Sequence, residues 1–261
     1  MSLVHLDPYV HGAGPLHRAD PRLKLLAMLA YVVLASALPP RAWGAYAGLL
    51  AMAVASLIAT RLPLVSVTRR AAPALALSAL VALGTIWSAE GDPNWSQRLL
   101  WLRLAIGEES LAHAGHVLVR AWLAAWIVGL YIAVTPFDAT LRALRWLRLP
   151  AVLVTTLAFV YRYLFVLVEE ALRLERARQS RTLRAPSLRR FGREARALGG
   201  MAGSLFLRAL ARSERVYQAM LSRGFGGAFS GLRRLRWQRA DTIAAGVWGT
   251  LLLLIALSTA A

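Results

Sequence analysis

Residues 169–224 have the sequence EEALRLERARQSRTLRAPSLRRFGREARALGGMAGSLFLRALARSERVYQAMLSRG, and this stretch decides the fold. It contains two helix-forming, arginine-rich blocks, which end in Ser180-Arg181-Thr182 and in Ser222-Arg223-Gly224. The chain on either side is apolar enough to lie in a membrane, whereas this basic stretch is not. The sequence therefore predicts an all-α, polytopic membrane protein with a long basic arm. We predict three parts: an N-terminal cytosolic segment with four transmembrane helices (1–134), a cytoplasmic or interfacial arm of about three helices (135–240) and a final transmembrane helix (241–261).

The composition separates this chain from soluble proteins. Hydrophobic residues make up 58% of the 261 residues and charged residues only 17%, whereas a soluble domain has about 45–50% and about 25%. The net charge is +18, and 21 arginines with only six acidic residues lie between positions 136 and 239. Because this charge is confined to an arm that is tethered to a bilayer at both ends, a protein surface or anionic lipid headgroups are better partners than nucleic acid. We expect no nucleic-acid partner.

Five apolar runs are predicted to span the membrane. They lie at 23–38, 43–60, 71–87, 112–134 and 242–257. Asp20-Pro21 supplies the N-cap and the first helical residue of the first run. Lys and Arg lie before the first run and between the second and the third, whereas the loop 87–111 holds four acidic residues and two arginines. The positive-inside rule then predicts a cytoplasmic N-terminus and arm, and a C-terminus outside the cell.

A sixth apolar run, Leu149–Val168, is long enough to span the membrane but is predicted not to. If it crossed, Glu169–Arg239 and its arginines would face outward, against the positive-inside bias. Arg162 would also lie near the middle of the bilayer, where a charge is costly. We therefore predict a long helix from about Ala151 to Arg181 that packs at the inner face of the membrane.

Two further helices are predicted in the arm. Thr135-Pro136-Phe137-Asp138 is typical of a capped helix start, and the amphipathic helix that follows is predicted to lie at the membrane interface and to end at Leu149-Pro150. The last arm helix is predicted from about Ser204 to Arg223, after Gly199-Gly200, with Gly224 as the residue that ends it.

Arg181 and Arg223 are thus both predicted at C-terminal helix ends. A cation there complements the helix dipole by about 0.3–1 kcal/mol, which would explain either arginine alone. Two long helices that end alike favour a second explanation, because guanidinium is a planar, permanently charged fork for a carboxylate on a partner. We predict that the two tripeptides form a docking site: Ser180, Arg181, Thr182, Ser222, Arg223 and Gly224.

Several stretches resemble one family of membrane transport subunits. They are Asp20-Pro21-Arg22-Leu23-Lys24, Thr135-Pro136-Phe137 with Leu141-Arg142-Ala143-Leu144, Tyr161 to Leu167 with Glu169-Glu170, Gly203 to Arg208, and Glu214 to Gly224. On these residues the chain resembles the T component, or transmembrane coupling subunit, of energy-coupling-factor (ECF) transporters, and most closely the cobalt-type CbiQ family. The first tripeptide departs from the Ala-Arg-Gly-like motif of that family, because it has Ser180 and Thr182 where the motif has Ala and Gly.

The resemblance implies partners and a mechanism. The arm helices would be coupling helices, and Arg181 and Arg223 would dock into grooves on paired ABC-type ATPase subunits. ATPase motion would then tilt a separate cobalt-binding membrane subunit (the S component), with or without a small accessory membrane subunit. The ATPase would bind ATP and Mg, so that this chain would have no cofactor and would not be an enzyme. The resemblance also implies a multi-pass location in a bacterial cell (inner) membrane.

Other functions remain open at this point. The T component could serve nickel or a vitamin, and a rival of another class is an intramembrane enzyme. An enzyme would need acid, base or metal clusters within the spans, where acidic residues are essentially absent. There is no phosphate-binding G-x-x-x-x-G-K-[ST] loop, so this chain alone is not expected to hydrolyse ATP. His113 and His116 could share a helix face and hold a metal ion. No third ligand clusters with them, so we favour the interpretation that both are polar residues at the membrane interface.

Overall fold

The computed structural model describes residues 9–10, 12, 14–40, 42–61, 63–87, 96–99, 102–105, 108–181, 191–227 and 237–259. Within these ranges the chain forms nine helices and one hairpin: α1 (Pro15–Arg18), α2 (Pro21–Ala37), α3 (Trp43–Thr60), α4 (Leu64–Trp87), β1 (Ser96–Leu99), β2 (Leu102–Ala105), α5 (Glu108–Val134), α6 (Phe137–Trp146), α7 (Ala151–Ser180), α8 (Phe191–Leu221) and α9 (Arg239–Leu257). The predicted all-α class of a polytopic membrane protein is confirmed.

The starts of the first two long helices agree with the sequence prediction. The Asp20 carboxylate accepts a hydrogen bond from the Arg22 backbone N–H at 2.8 Å, and Pro21 opens α2. This is the cap that the sequence predicts, because the side-chain oxygen satisfies an N–H that the helix itself leaves unpaired. Helix α3 has the predicted bounds.

Two other regions differ from the prediction. Helix α4 begins at Leu64 rather than at Ala71 and contains Pro73. The loop predicted between 87 and 111 contains the antiparallel hairpin of β1 and β2, in which Arg98 pairs with Arg103. The apolar pattern did not predict the hairpin because strands of four residues are too short for a periodic signal, and it did not predict the earlier start of α4 because Arg69 and Arg70 interrupt the apolar run there.

Contacts divide the chain into two compact units, and each is described by itself. The bundle contains the described residues between 9 and 143 together with 237–259, and the helix pair contains 144–181 and 191–227. In the core of the bundle, Tyr31 of α2, Leu49 of α3 and Leu123 of α5 are almost fully buried. The Tyr31 hydroxyl donates to the Leu49 carbonyl at 3.0 Å, so that the buried polar group is satisfied.

Four of the described helices have the length and hydropathy of a membrane span: Trp43–Thr60, Ala114–Val134, Ala151–Ser180 and Arg239–Leu257. Ala71–Gly84 is a shorter apolar helix, and α2 has 17 residues. The apolar part of α3 is 44% buried and that of α9 only 6%, so α3 lies inside the bundle and α9 at its edge. The count of five spans and the three-part division at 134 and 240 stay predictions.

The arm helices contradict two details of the sequence analysis. The Thr135 hydroxyl is buried without a hydrogen-bond partner and does not cap α6, because the Thr135 N–H bonds to the Tyr131 carbonyl and continues the pattern of α5. Helix α8 begins at Phe191, not near Ser204, and continues through Gly199-Gly200. Helix α7 agrees with its predicted range.

Candidate docking site at the ends of two arginine-rich helices

Helices α7 and α8 pack side by side in opposite directions. The rings of Phe159 and Phe225 meet edge to face with centroids 6.5 Å apart. Farther along, Arg208 donates to the Glu170 carboxylate at 2.6 Å. Glu194 in the first turn of α8 acts electrostatically on Arg178 in the last turn of α7. Residues closer to the end of α7 are thus paired with residues closer to the start of α8. The two helices are therefore antiparallel.

An apolar groove runs between these two helices. It has a volume of about 450 Å³ and is lined by Phe159, Val160, Tyr163, Leu164, Leu167, Ala209, Arg212, Ser213, Val216 and Met220. The Arg208–Glu170 ion pair lies next to its lining residues and is partly exposed. Such a pair contributes less than about 1 kcal/mol, so ring and aliphatic contacts contribute most of what holds the helices together.

Arg181 directly follows the last residue of α7. Its backbone is in the right-handed helical region, with φ −95°, and its N–H reaches the carbonyls of Arg178 and Gln179. The side chain is exposed. The predicted position of Arg181 at a helix end is therefore correct, whereas Thr182 lies outside the described residues.

Arg223 lies in the turn that closes α8. The Phe225 N–H bonds to the Met220 carbonyl at 3.0 Å, and the Gly224 N–H bonds to the Leu221 carbonyl at 2.9 Å. These two bonds, with Gly224 at φ 75°, form a Schellman motif. Glycine is suited to this angle because a Cβ would approach the backbone too closely, and the exposed Arg223 is held just before it.

The serines that precede the two arginines make the same contact. The Ser180 hydroxyl donates to the Ala177 carbonyl at 3.0 Å, and the Ser222 hydroxyl donates to the Ala219 carbonyl at 3.0 Å. Each serine is therefore bonded back to its own helix, and the arginine that follows it is exposed at the helix end. The amino-acid sequence alone does not show that the two serines make the same hydrogen bond.

The last turn of α7 contains a second arginine that is already paired. Arg178 donates to both carboxylate oxygens of Glu175, at 2.9 and 2.8 Å, and Gln179 donates to the same carboxylate at 2.9 Å. These bonds, that of Arg178 above all, lower the pKa of Glu175 to about 2. By contrast, neither Arg181 nor Arg223 forms an ion pair with any residue in the described part of the chain.

Arg181 and Arg223 lie at opposite ends of the helix pair. The start of α8 lies beside the end of α7, and α8 has 31 residues. At about 1.5 Å per residue, Arg181 and Arg223 are on the order of 45 Å apart. One narrow groove on a partner could not accept both guanidinium groups, so the arrangement fits two separate acceptor sites.

A residue that the sequence analysis missed connects the start of α2 with the start of α9. Asp241 of α9 is buried and accepts hydrogen bonds from the Asp20 N–H and from the Gln238 N–H, both at 2.9 Å. Lys24 donates to the His17 carbonyl at 3.0 Å and lies close enough to Asp20 and Asp241 to interact with both carboxylates. The spacing of Gln238 and Asp241 resembles a capping box and could have indicated this role.

The histidine candidates are placed only in part. His116 is buried, and its Nε2 lies at hydrogen-bond distance from the Tyr46 hydroxyl, which also donates to the Leu38 carbonyl at 3.3 Å. The His113 side chain lies outside what the structure describes. Among the described residues, no group of three His, Cys, Asp or Glu side chains could hold a metal ion.

Four helices long and apolar enough to span a membrane are typical of a multi-pass membrane protein. The sequence matches the model of the family CbiQ, described as cobalt transport protein, over residues 12–233. The chain therefore belongs to the CbiQ family, as its motifs indicate.

Curated relatives match over shorter stretches. The nickel permease LarQ of Lactiplantibacillus plantarum is 34% identical over 110 residues, which cover 41% of this chain and 38% of LarQ. Two uncharacterised proteins of Methanocaldococcus jannaschii are 36% identical over 93 residues and 31% identical over 100 residues. These matches cover 36% and 38% of this chain and 33% of each relative. The matched stretches thus span only about a third of the length of these relatives.

Proposed function

We propose that this chain is the T component of an ECF-type uptake transporter for a divalent metal ion, and that it transmits ATPase motion to a substrate-binding membrane subunit. Membership of the CbiQ family supports the transport role. The observation that carries the coupling role is that α7 and α8 each end in an exposed arginine without an ion pair in the described part of the chain. In this proposal the chain performs no catalysis and holds no cofactor.

Paired ABC-type ATPase subunits fit the spacing of the arginines. Two subunits present two equivalent acceptor sites, and the ends of the helix pair are on the order of 45 Å apart. Each site would accept one guanidinium, which can bond a carboxylate with two parallel hydrogen bonds. When the ATPase subunits approach each other, they would push or turn the helix pair at both ends, because the contacts of Phe159 with Phe225 and of Glu170 with Arg208 join α7 to α8.

The metal is proposed to be cobalt, as the name of the family indicates. Nickel is the second candidate, because the relative LarQ is named a nickel permease. Uptake of radioactive cobalt and of radioactive nickel by cells that express the whole complex distinguishes them. Preferential accumulation of nickel would reject cobalt, and accumulation of neither metal would reject the divalent-metal assignment.

The docking proposal is tested by reversing the charge of the arginines. We expect Arg181→Glu combined with Arg223→Glu to reduce the ATPase that co-purifies with this chain by at least about tenfold, since an unpaired charge at an interface costs several kcal/mol. Arg215→Glu on the exposed surface of α8 is the matched control and should leave co-purification within about twofold. Undiminished co-purification of the double variant would reject the docking role.

A further inference from the structure

The corner between α6 and α7 carries an exposed basic and apolar surface that the docking site does not use. We call it the corner patch and define it by Arg145, Trp146, Arg148, Val152 and Leu153. All five side chains are exposed, including Trp146 at 47% and Val152 at 64%. We propose that the corner patch binds the phosphate headgroup of an anionic phospholipid.

The turn at this corner brings the patch together. The Leu149 N–H bonds to the Leu144 carbonyl at 3.3 Å, and the Arg148 N–H bonds to the Arg145 carbonyl at 3.1 Å. These bonds form a Schellman motif, in which the residue after the helix has a left-handed conformation. Helix α6 therefore ends abruptly, and the exposed start of α7 follows within a few residues.

Arg148 stands where this turn favours glycine. Its φ is 63°, and Arg148 and Arg61 are the two non-glycine residues with a positive φ in the described part of the chain. The same motif at the end of α8 has Gly224 in the equivalent position. Because arginine is strained at this angle, its presence at the corner indicates a use for the side chain. Arg148 forms no ion pair with a described residue.

The neighbours of the arginines favour lipid over protein as the partner. Tryptophan is enriched at the headgroup level, because its ring is apolar and its N–H is polar. Val152 and Leu153 begin an exposed apolar face of α7 that continues through Leu157. In a membrane protein, this face can contact acyl chains while Arg145 and Arg148 meet the phosphate.

The test uses the full-length chain in mixed detergent micelles. Binding of phosphatidylglycerol and of phosphatidylcholine with identical acyl chains is measured by native mass spectrometry. We expect a preference for phosphatidylglycerol of about 25-fold, because each arginine near a headgroup contributes about fivefold. Arg145→Gln with Arg148→Gly should reduce the preference to about twofold or less, whereas Arg215→Gln on α8 should leave it unchanged.

Arg148→Gly alone separates binding from folding. Glycine relieves the strained backbone, so we expect the thermal midpoint to stay the same or to rise while the preference falls about fivefold. An unchanged preference in this variant and in the double variant would show that Arg148 only complements the dipole of α6, and would overturn the proposal.

Two further outcomes would assign the patch to other ligands. If millimolar inorganic phosphate displaced phosphatidylglycerol, the patch would bind free anions rather than lipid. If the double variant kept its lipid preference but lost its co-purifying subunits, the patch would be a protein interface. Either result would overturn the lipid assignment.

Discussion

At the scale of single residues, the closing turn of α8 depends on the backbone freedom of Gly224. Its φ of 75° is costly for any residue with a Cβ. We expect Gly224→Ala to destabilise the turn by about 1 kcal/mol and to displace Arg223, which directly precedes it. Hydrogen exchange at the Gly224 and Phe225 amides should become faster, since these amides make the two bonds of the motif.

A matched glycine lies two residues further on. Gly226 has no positive φ, and a Cβ added there would meet no atom within 4 Å. Gly226→Ala should therefore leave the exchange rates unchanged. If the two alanine variants behaved alike, the conformation of Gly224 would not be what holds Arg223.

Some helix ends and caps could be predicted from single residues, and others could not. Gly224 after a helical block predicts a helix end, because glycine is enriched there. Leu149-Pro150 predicts an end as well, but it does not indicate that Arg148 adopts a left-handed angle. Thr135 has the residue type and spacing of a cap, yet its N–H continues the bonding of α5. Local patterns cannot decide between two such hydrogen-bond choices.

At the scale of elements, a buried carboxylate joins the start of α9 to the bundle. The apolar part of α9 is little buried, whereas Asp241 accepts the Asp20 N–H across a sequence separation of 221 residues. Asp241→Ala leaves that buried N–H without a partner and removes the bond to Gln238. We expect a loss of roughly 2–4 kcal/mol, measured as a lower thermal midpoint of the purified protein in detergent.

The control for this prediction is Asp138→Ala. Asp138 is also in the first turn of a helix but is exposed, so its loss should cost at most about 0.5 kcal/mol. Equal midpoints for the two variants would contradict the role of Asp241 in joining α9 to the bundle.

The last turn of α7 yields a prediction about pH. Because the folded pKa of Glu175 is about 2, below its usual value near 4.5, its bonds stabilise the turn above pH 4.5, and this contribution is lost as the pH falls through about 2. Titration of ¹³C-labelled glutamate, assigned with Glu175→Gln, should show this low midpoint.

Arg178→Gln should raise that midpoint toward the usual value, because the Arg178 guanidinium is the largest cause of the shift. Arg176→Gln is the control, since the Arg176 guanidinium donates to the Leu172 carbonyl rather than to Glu175, and it should leave Glu175 unaffected. A Glu175 midpoint near 4.5 in the unaltered protein would contradict the bidentate pair.

Helix lengths show where the elements departed from the sequence prediction. Gly199-Gly200 was expected to precede the last arm helix, because each glycine costs about 1 kcal/mol in a helix interior. In the structure α8 continues through both residues and lies along α7, where Glu194 acts on Arg178. Gly199 and Gly200 are exposed, and a Cβ added at either would meet no atom within 4 Å. The strong helix formers on both sides of the pair, mainly Ala, Arg and Leu, therefore outweigh its local cost, which a rule based on the two glycines alone does not weigh.

At the scale of the whole molecule, the membrane topology depends on α7. By length and hydropathy α7 could span the membrane, whereas the positive-inside rule predicts that it does not, since α8 and its arginines would then lie outside. The docking proposal requires α8 to lie on the ATPase side. In both topologies α8 and the end of α9 lie on opposite sides of the membrane. With five spans α8 lies inside and the end of α9 outside, and if α7 spans the membrane the two sides are exchanged.

The absence of cysteine makes this question directly testable, because single cysteines can be introduced without further changes. Gln218→Cys lies on the exposed surface of α8 and Ser258→Cys after the end of α9. With five spans, a membrane-impermeant maleimide added to intact cells should label Ser258→Cys and should label Gln218→Cys only after permeabilisation. If α7 spans, the pattern reverses, because α8 moves outside and the end of α9 inside. That reversed pattern would refute the cytoplasmic arm, and with it the docking of Arg181 and Arg223 onto an ATPase.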